Sequence, residues 1–464
     1  MEFRSCFSRK GTFEWFVVIV CGLLIRRDHL GVTSVIRGMG LIPKYVGLIN
    51  FFRSSAWVLD ILNAKWCSVI KKVAPLVKCQ GAVILVGDGI KYAKEGRRMP
   101  GVKRHHQESG NLSKPEYMWG HLFGGIGILG QAASKYFCLP LALRLQDGVK
   151  TIFGWDKTPQ RQESHVVEMI RLAYKMAGHF DKGILLLDRL FLSVPALETL
   201  DMLGANNPIL HIVTKAKCNS VAYREFQATP GKRGRPRKKG ASVKMIDLFE
   251  TAQFQYAEIC LYGKPAQVKY HCVDLLWGQK LYKKLRFVLV EYNGAKVILV
   301  STDLTLPPLD IIDLYSKRFS IETMFREMNQ VICAFGYRFW SKYMPKLDRF
   351  RKKTDPDPLD SVSDHARQKI RLAVKAIEGF VFCAIVATGL LQITSMKFSN
   401  TDELANLRYL RTRRNIIASE ATIADFLQNN FFRLLLKCPN LDLTRIISSK
   451  QTGPPETPNL KRVS

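Results

Sequence analysis

Up to about residue 75 the apolar positions recur at helical spacing, in residues 14–24, 32–36, 46–52 and 58–70, with a break at Pro43 and Lys44. The period then changes. Residues 82–86 form a short β-branched run ending in Gly87-Asp88-Gly89, which predicts a buried strand that closes in a turn. Two more strands are expected over 120–129, rich in glycine, and 137–145. A helix is predicted over 159–179, with Pro159 near its start and Val166, Val167, Met169, Ile170 and Ala173 along one side. Strands follow at 183–187, delivering Asp188, and at 209–213. This order of elements predicts a mixed α/β sheet.

Between residues 214 and 308 the apolar positions alternate in runs such as 253–262, 268–275, 285–292 and 296–301, which predicts an inserted antiparallel β unit. A helix resumes over 308–332, a longer one spans 364–392, and the proline-bearing tail 450–464 predicts disorder. The chain thus divides into a helical segment 1–75, a first sheet-bearing part 76–213, the β insertion 214–308, a second core part 309–395 and a C-terminal helical region 396–464. Two apolar runs, 15–25 and 379–394, fall short of the roughly 20 residues of a membrane span, so both are expected in the core and no membrane partner is expected. Arg26 and Arg27 stand where a signal peptide would carry its small-residue cleavage site, so the first run reads as mature protein.

Charge changes the picture more than composition does. Seventy Lys and Arg stand against 39 Asp and Glu, a formal net charge of +31, in a chain that is 47% apolar and so folds. Such an excess calls for a polyanionic partner, and its spread along the chain favours nucleic acid over a membrane surface, with ribosomal-type binding as a bland alternative. Arg26, Arg27, Arg37, Lys44 and Arg53 make the first 75 residues either a DNA-binding helical domain or a helical cap on the next one. The eleven cysteines are scattered singly with no zinc-type spacing, as in a reducing cytoplasm.

Candidate chemistry begins with two aspartates. Asp88 and Asp188 each follow a buried hydrophobic strand, where sites on open α/β sheets collect. A charge placed there is costly unless a cation meets it, although Asp before Gly89 is also an ordinary turn residue. On the helix predicted over 308–332, Tyr315, Arg318, Glu322 and Asn329 fall within about 60° of one another, on one polar stripe beside an apolar sector. A solvated face with an Arg to Glu pair is the plain alternative.

The run Tyr315-x2-Arg318-x3-Glu322-x6-Asn329 resembles the Tyr-x2-Arg-x3-Glu-x6-Lys signature of insertion-sequence transposases of the DDE class, with Asn329 departing from the family's Lys. The resemblance covers roughly residues 80–340, with weaker similarity in 23–37 and 231–249. It implies an RNase H-like fold, a five-stranded mixed sheet flanked by helices, with the β insertion before the last catalytic helix. It further implies that Asp88, Asp188 and Glu322 hold two Mg2+ or Mn2+ ions, Asp88 bridging them, and catalyse cleavage and strand transfer. Arg318 would clamp a phosphate and Tyr315 would donate beside it, with Asn329 a neutral contact. The implied partners are double-stranded DNA, at the element's ends and the target, and a second protomer in the DNA complex, in a bacterial-type cytoplasm at the nucleoid. A catalytically inactive transposase-derived DNA-binding protein and an RNase H-like nuclease without strand transfer are the alternatives.

Outside that signature, residues 232–240 place Arg233, Arg235, Arg237 and Lys238 around a Gly-Arg-Pro core, which reads equally as an AT-hook for the minor groove or as a solvated basic loop. Trp277 is a candidate for stacking on an unpaired base, against the commoner core role. His105 and His106 read as surface or phosphate-contacting residues, and Asp147, Asp156 and Asp181 are spare acids, Asp147 first among them.

Overall fold

In a computed structural model, residues 2–107, 115–155, 163–227, 237–352, 354–398 and 417–452 are described. Helices α1 (Lys10–Ile25), α2 (Ser34–Gly38), α3 (Tyr45–Arg53) and α4 (Leu59–Val73) come first. Strands β1 (Lys78–Cys79), β2 (Ala82–Ala93), β3 (Lys103–His106), β4 (Tyr117–Ala132) and β5 (Lys135–Gln146) follow, then α5 (Lys150–Gly154), α6 (His165–Ala177), β6 (Gly183–Leu186), α7 (Val194–Gly204) and β7 (Leu210–Ala216). The next stretch holds β8 (Val221–Tyr223), β9 (Ser242–Lys244), α8 (Leu248–Thr251), β10 (Gln255–Leu261), β11 (Lys264–Trp277), β12 (Lys283–Tyr292) and β13 (Ala295–Ser301). Helices α9 (Pro308–Ser316), α10 (Ser320–Gln330), α11 (Asp364–Phe398), α12 (Glu420–Lys437) and α13 (Asp442–Thr452) close the order.

The protein is a mixed α/β structure built on one large sheet. Its first part runs β5-β4-β2-β6-β7: β5, β4 and β2 are antiparallel neighbours, whereas β6 and β7 lie parallel to β2. Ala82 to Gly87 are all buried, because strands flank β2 on both sides and helices cover both faces. From Asp88 onward β2 alternates half-buried and exposed, as a strand does once its parallel neighbour has ended. The expected turn at Gly87-Asp88-Gly89 is therefore absent. Pairing with β4 carries β2 straight through to Ala93 opposite Gly120, and Asp88 sits in mid-strand.

The β unit expected as an insertion is a continuation of the same sheet, because β13 pairs antiparallel with β7 and hands on to β12 and β11. A second apolar cluster, with Phe287, Leu285 and Val300, lies under it against Leu197 of α7. The first cluster is continuous from α1 to α4 through the sheet to α11, so the N-terminal helices share their core with the strands. Indole rings dock these helices onto bare glycine backbone. Trp57 lies where a side chain on Gly379 would be, Trp66 where one on Gly389 would be, and both glycines belong to α11. That helix is long and apolar enough to cross a membrane, but 94% of its apolar window is buried inside the protein, the core role its sequence predicted.

Other expectations shift for local reasons. The helix expected over 308–332 is two helices: Arg318 N–H donates to the Tyr315 carbonyl and Ile321 N–H to that of Arg318, tight i to i−3 bonds that break the α-ladder at 317–319. Arg26 is not on the surface. It is 2% exposed, and its guanidinium donates to the carbonyls of Gly31, Ile332 and Cys333 and to Ser34 Oγ, tying α1 to the end of α10. Lys44 is buried too, and Arg37 pairs with Asp28 at 3.1 Å. The C-terminal tail is helical through Thr452, with 453–464 outside the described residues.

On β4, His121 is fully buried between the Tyr337 hydroxyl (2.6 Å) and the Pro100 carbonyl (3.0 Å), so Nε2 carries the proton and Nδ1 accepts. Burial pushes its pKa down to about 3. A group with so depressed a pKa contributes stability above the unfolded value near 6.5 and loses it as the pH falls toward 3. Between pH 7 and pH 5 this group alone should cost about 2 kcal/mol. Urea unfolding of His121→Gln at both pH values should show a loss smaller by that amount, whereas an equal loss would place the titration elsewhere.

Candidate active site

The site is set by register. Val86 of β2 pairs with Leu186 of β6, and each strand places its aspartate two residues later, so Asp88 and Asp188 emerge side by side. Asp188 caps a short turn, its Oδ1 accepting from Arg189 N–H at 2.7 Å, and Thr214 of β7 donates to its backbone carbonyl at 2.9 Å.

Glycine brings in the third acid. Asp88 stands opposite Gly125 of β4, and a Cβ at Gly125 would lie 3.0 Å from the Phe325 ring of α10. At Gly127 it would meet Cys138 Sγ at 2.3 Å and Met324 Sδ at 3.1 Å. The side chains of α10 thus take the space that Gly125 and Gly127 leave empty on β4, and Arg318, in the turn before that helix, reaches β2. Arg318 Nη1 donates to Asp88 Oδ2 at 3.0 Å and Nη2 to Glu322 Oε1 at 2.7 Å. One guanidinium therefore joins two acids that lie 234 positions apart in the chain.

Electrostatics follow the geometry. Burial pushes the Asp88 carboxyl up; Arg318 and the Gly89 N–H oppose that push, and the charge of Asp188 adds to it. Burial also acts against the Arg318 charge, but Asp88, Tyr315 and Asp188 outweigh it and hold the guanidinium above its ordinary range. Tyr315 is pushed up to about 12, mainly by burial, and so keeps its proton at neutral pH.

Asp88, Arg318 and Glu322 are in contact, with Asp188 and Tyr315 close enough to act on them by charge. Among the described residues no group of three His, Cys, Asp or Glu side chains is placed to hold a metal ion: the positive charge between Asp88 and Glu322 is that of Arg318. The donor set is nonetheless all carboxylate oxygen, which suits a hard divalent cation once Arg318 moves aside.

The remaining candidates lie apart. Asn329 is half-buried, two turns beyond Glu322, and among the described residues makes no side-chain bond to these acids. Trp277 is half-buried and packs with the second apolar cluster. Arg233 and Arg235 lie outside the described residues, as does Asp156, while Arg237 and Lys238 are exposed. Asp147 is held by Lys103 at 3.0 Å and Asp181 by Lys71 at 2.9 Å. His105 is buried and its neighbour His106 exposed, as alternation along a strand requires. Two features had no place in the sequence reading. One is Gly125, whose only signal was a glycine-rich strand. The other is the segment 338–352, whose signal is a run of cations interleaved with aromatics. The eleven cysteines are all free.

No known protein family, curated protein or solved structure matches this chain.

The two arms of Arg318 differ in exposure, with the Asp88 side chain 26% and the Glu322 side chain 44% exposed. A double-mutant cycle of Arg318→Ala with Asp88→Asn should give a coupling of about 1.5–3 kcal/mol, that of a charged, half-buried hydrogen bond. The cycle with Glu322→Gln should give about 0.3–0.5 kcal/mol, as for an exposed i, i+4 pair. Equal couplings would mean that Arg318 is not anchored on β2. Gly125→Val should destabilise the protein by about 1–3 kcal/mol through overpacking, read from its unfolding midpoint, and should also reduce the Arg318 to Asp88 coupling.

Proposed function

We propose that the protein is a DNA transposase of the DDE class, which cleaves the ends of its own element and joins them to target DNA with Asp88, Asp188 and Glu322 as its catalytic acids. The observation that carries this reading is a single arginine joining Asp88 of one strand to Glu322 of a helix far along the chain, with Asp188, from the end of the adjacent strand, near enough to act on Asp88 by charge. The strand order β5-β4-β2-β6-β7, in which β4 alone runs antiparallel to the other four, supports an RNase H-like core. The formal charge of +31 supports a polyanionic substrate.

Asp88, Asp188 and Glu322 would hold two Mg2+ or Mn2+ ions, which when bound stabilise charge on the phosphodiester undergoing transfer. Arg318 has a second task in this reading. It holds the acids together before DNA arrives and then presents its planar donors to a backbone phosphate. Tyr315, protonated at neutral pH, donates a hydrogen bond to the same phosphate. Two element ends call for two protomers, so the DNA complex is a homodimer.

A second reading, a DNA-binding protein without catalysis, is favoured by Asn329 at the family's Lys position and by the lack of a three-donor metal group among the described residues. Incubating the purified chain with a duplex carrying the element's terminal repeat and Mg2+ separates the readings. Cutting and strand transfer are expected. Cutting alone indicates a nuclease, and binding alone the inactive protein. Asp88→Asn, Asp188→Asn and Glu322→Gln should each lower cleavage by at least about 1000-fold while leaving duplex binding within about threefold of the parent, a loss on the scale of removing a group that acts on the transition state.

A further inference from the structure

Residues 338–352, between α10 and α11, hold six Lys or Arg against one Asp. The backbone of this segment is tied down. The buried Lys94 donates to the carbonyls of Phe335 (2.5 Å) and Tyr337 (2.9 Å), Ser341 N–H donates to the Arg98 carbonyl (3.1 Å), and Leu347 N–H donates to that of Arg97 (2.7 Å). Arg98 in turn donates to the carbonyls of Lys342 (2.7 Å) and Met344 (3.0 Å). The cationic side chains are left outward. Lys342, Lys346, Arg349 and Lys352 are exposed, and none has an ion pair among the described residues. Two rings stand among them, Trp340 at 57% and Phe350 at 94% exposed, the latter more exposed than any other large apolar side chain among the described residues.

A fixed, unpaired cationic surface bearing exposed rings is costly to keep in water unless a partner covers it. Its place indicates which partner. Lys94, which holds the backbone leading into the segment, is six residues beyond Asp88 and one past the end of β2, so it lies at most about 20 Å away at roughly 3.3 Å per residue. That is within one turn of duplex, about 34 Å. The rings lie ten positions apart on irregular backbone rather than on one face of an amphipathic helix, which is the arrangement a membrane surface requires.

We infer that residues 338–352 bind the backbone of double-stranded DNA within one helical turn of the acid centre, with Phe350 entering between base pairs as an apolar wedge. Lys342, Lys346, Arg349 and Lys352 neutralise phosphates, and the clamp on Arg97 and Arg98 holds them in line. Phe350 supplies contact that salt does not screen. The inference rests on the reading of the acid centre as one that works on duplex DNA.

The test is fluorescence anisotropy of a labelled duplex of arbitrary sequence with the full chain, over a range of NaCl. The triple variant Lys346→Ala/Arg349→Ala/Lys352→Ala should bind at least tenfold more weakly, with the slope of log K against log salt reduced by about 2–3. Phe350→Ala should weaken binding about 5- to 100-fold with the slope unchanged. Unchanged unfolding midpoints confirm that the variants are folded. Parent-like affinity and slope in both variants would overturn the inference, and so would a larger loss toward single-stranded RNA or anionic vesicles than toward the duplex. If the variants bind as the parent does while the parent still cuts DNA, this surface is idle and the transposase reading stands. If the variants lose binding but the parent never cuts, the surface stands and the transposase reading falls.

Discussion

The bare face of β4 beneath α10 is the constraint on which the site depends. The side chains of α10 can bed against that strand, with Arg318 reaching β2 from the turn before the helix, only where the strand carries none of its own. Gly125 and Gly127 provide that bare stretch, and Phe325 and Met324 take the space. The benefit is geometric and the cost is local, since glycine in a strand interior weakens it. Pairing on both sides of β4, with β2 and β5 over most of its length, offsets that weakness.

Charge is offset in part within the same few residues. Burial raises the affinity of Asp88 for a proton, and the charge of Asp188 beside it adds to that. Arg318 supplies the missing positive charge in this state. The acid centre is thus partly neutralised from within the chain, by one positive charge against three carboxylates, and any cation or phosphate that enters must exchange with an ion pair already formed.

Much of the fold was legible in the sequence because its signals are local. The β-branched runs before Asp88 and Asp188, the alternation of β11 to β13, and the apolar stretch of α11 each declare an element by periodicity alone. What was not legible depends on pairing partners distant in the chain. Asp88 read as a turn residue because Gly87 and Gly89 flank it, and only the long antiparallel partner keeps that segment extended. The polar stripe drawn over 308–332 assumed an unbroken helix. Arg318 and Glu322 meet nonetheless, because a one-turn separation survives the break at 317–319, whereas Asn329 lies on the unbroken α10 two turns beyond Glu322, about 10 Å along its axis, and among the described residues makes no bond to the acids. Arg26 read as available for DNA because a sequence does not reveal that four acceptors await it in the folded chain.

Strand β5 ends the sheet on one side, and its outer backbone groups are already engaged. The Pro140 carbonyl accepts from the Trp66 indole N–H (2.8 Å), the Cys138 carbonyl from Gln392 (3.0 Å), and Leu145 N–H donates to Glu378 (3.1 Å). Pro140 itself has no N–H to offer, and the register slips at Ile126 and Gly127 opposite it. A foreign strand laid along this border would find its docking positions occupied or missing. Two copies of the chain therefore cannot associate by merging their sheets along β5.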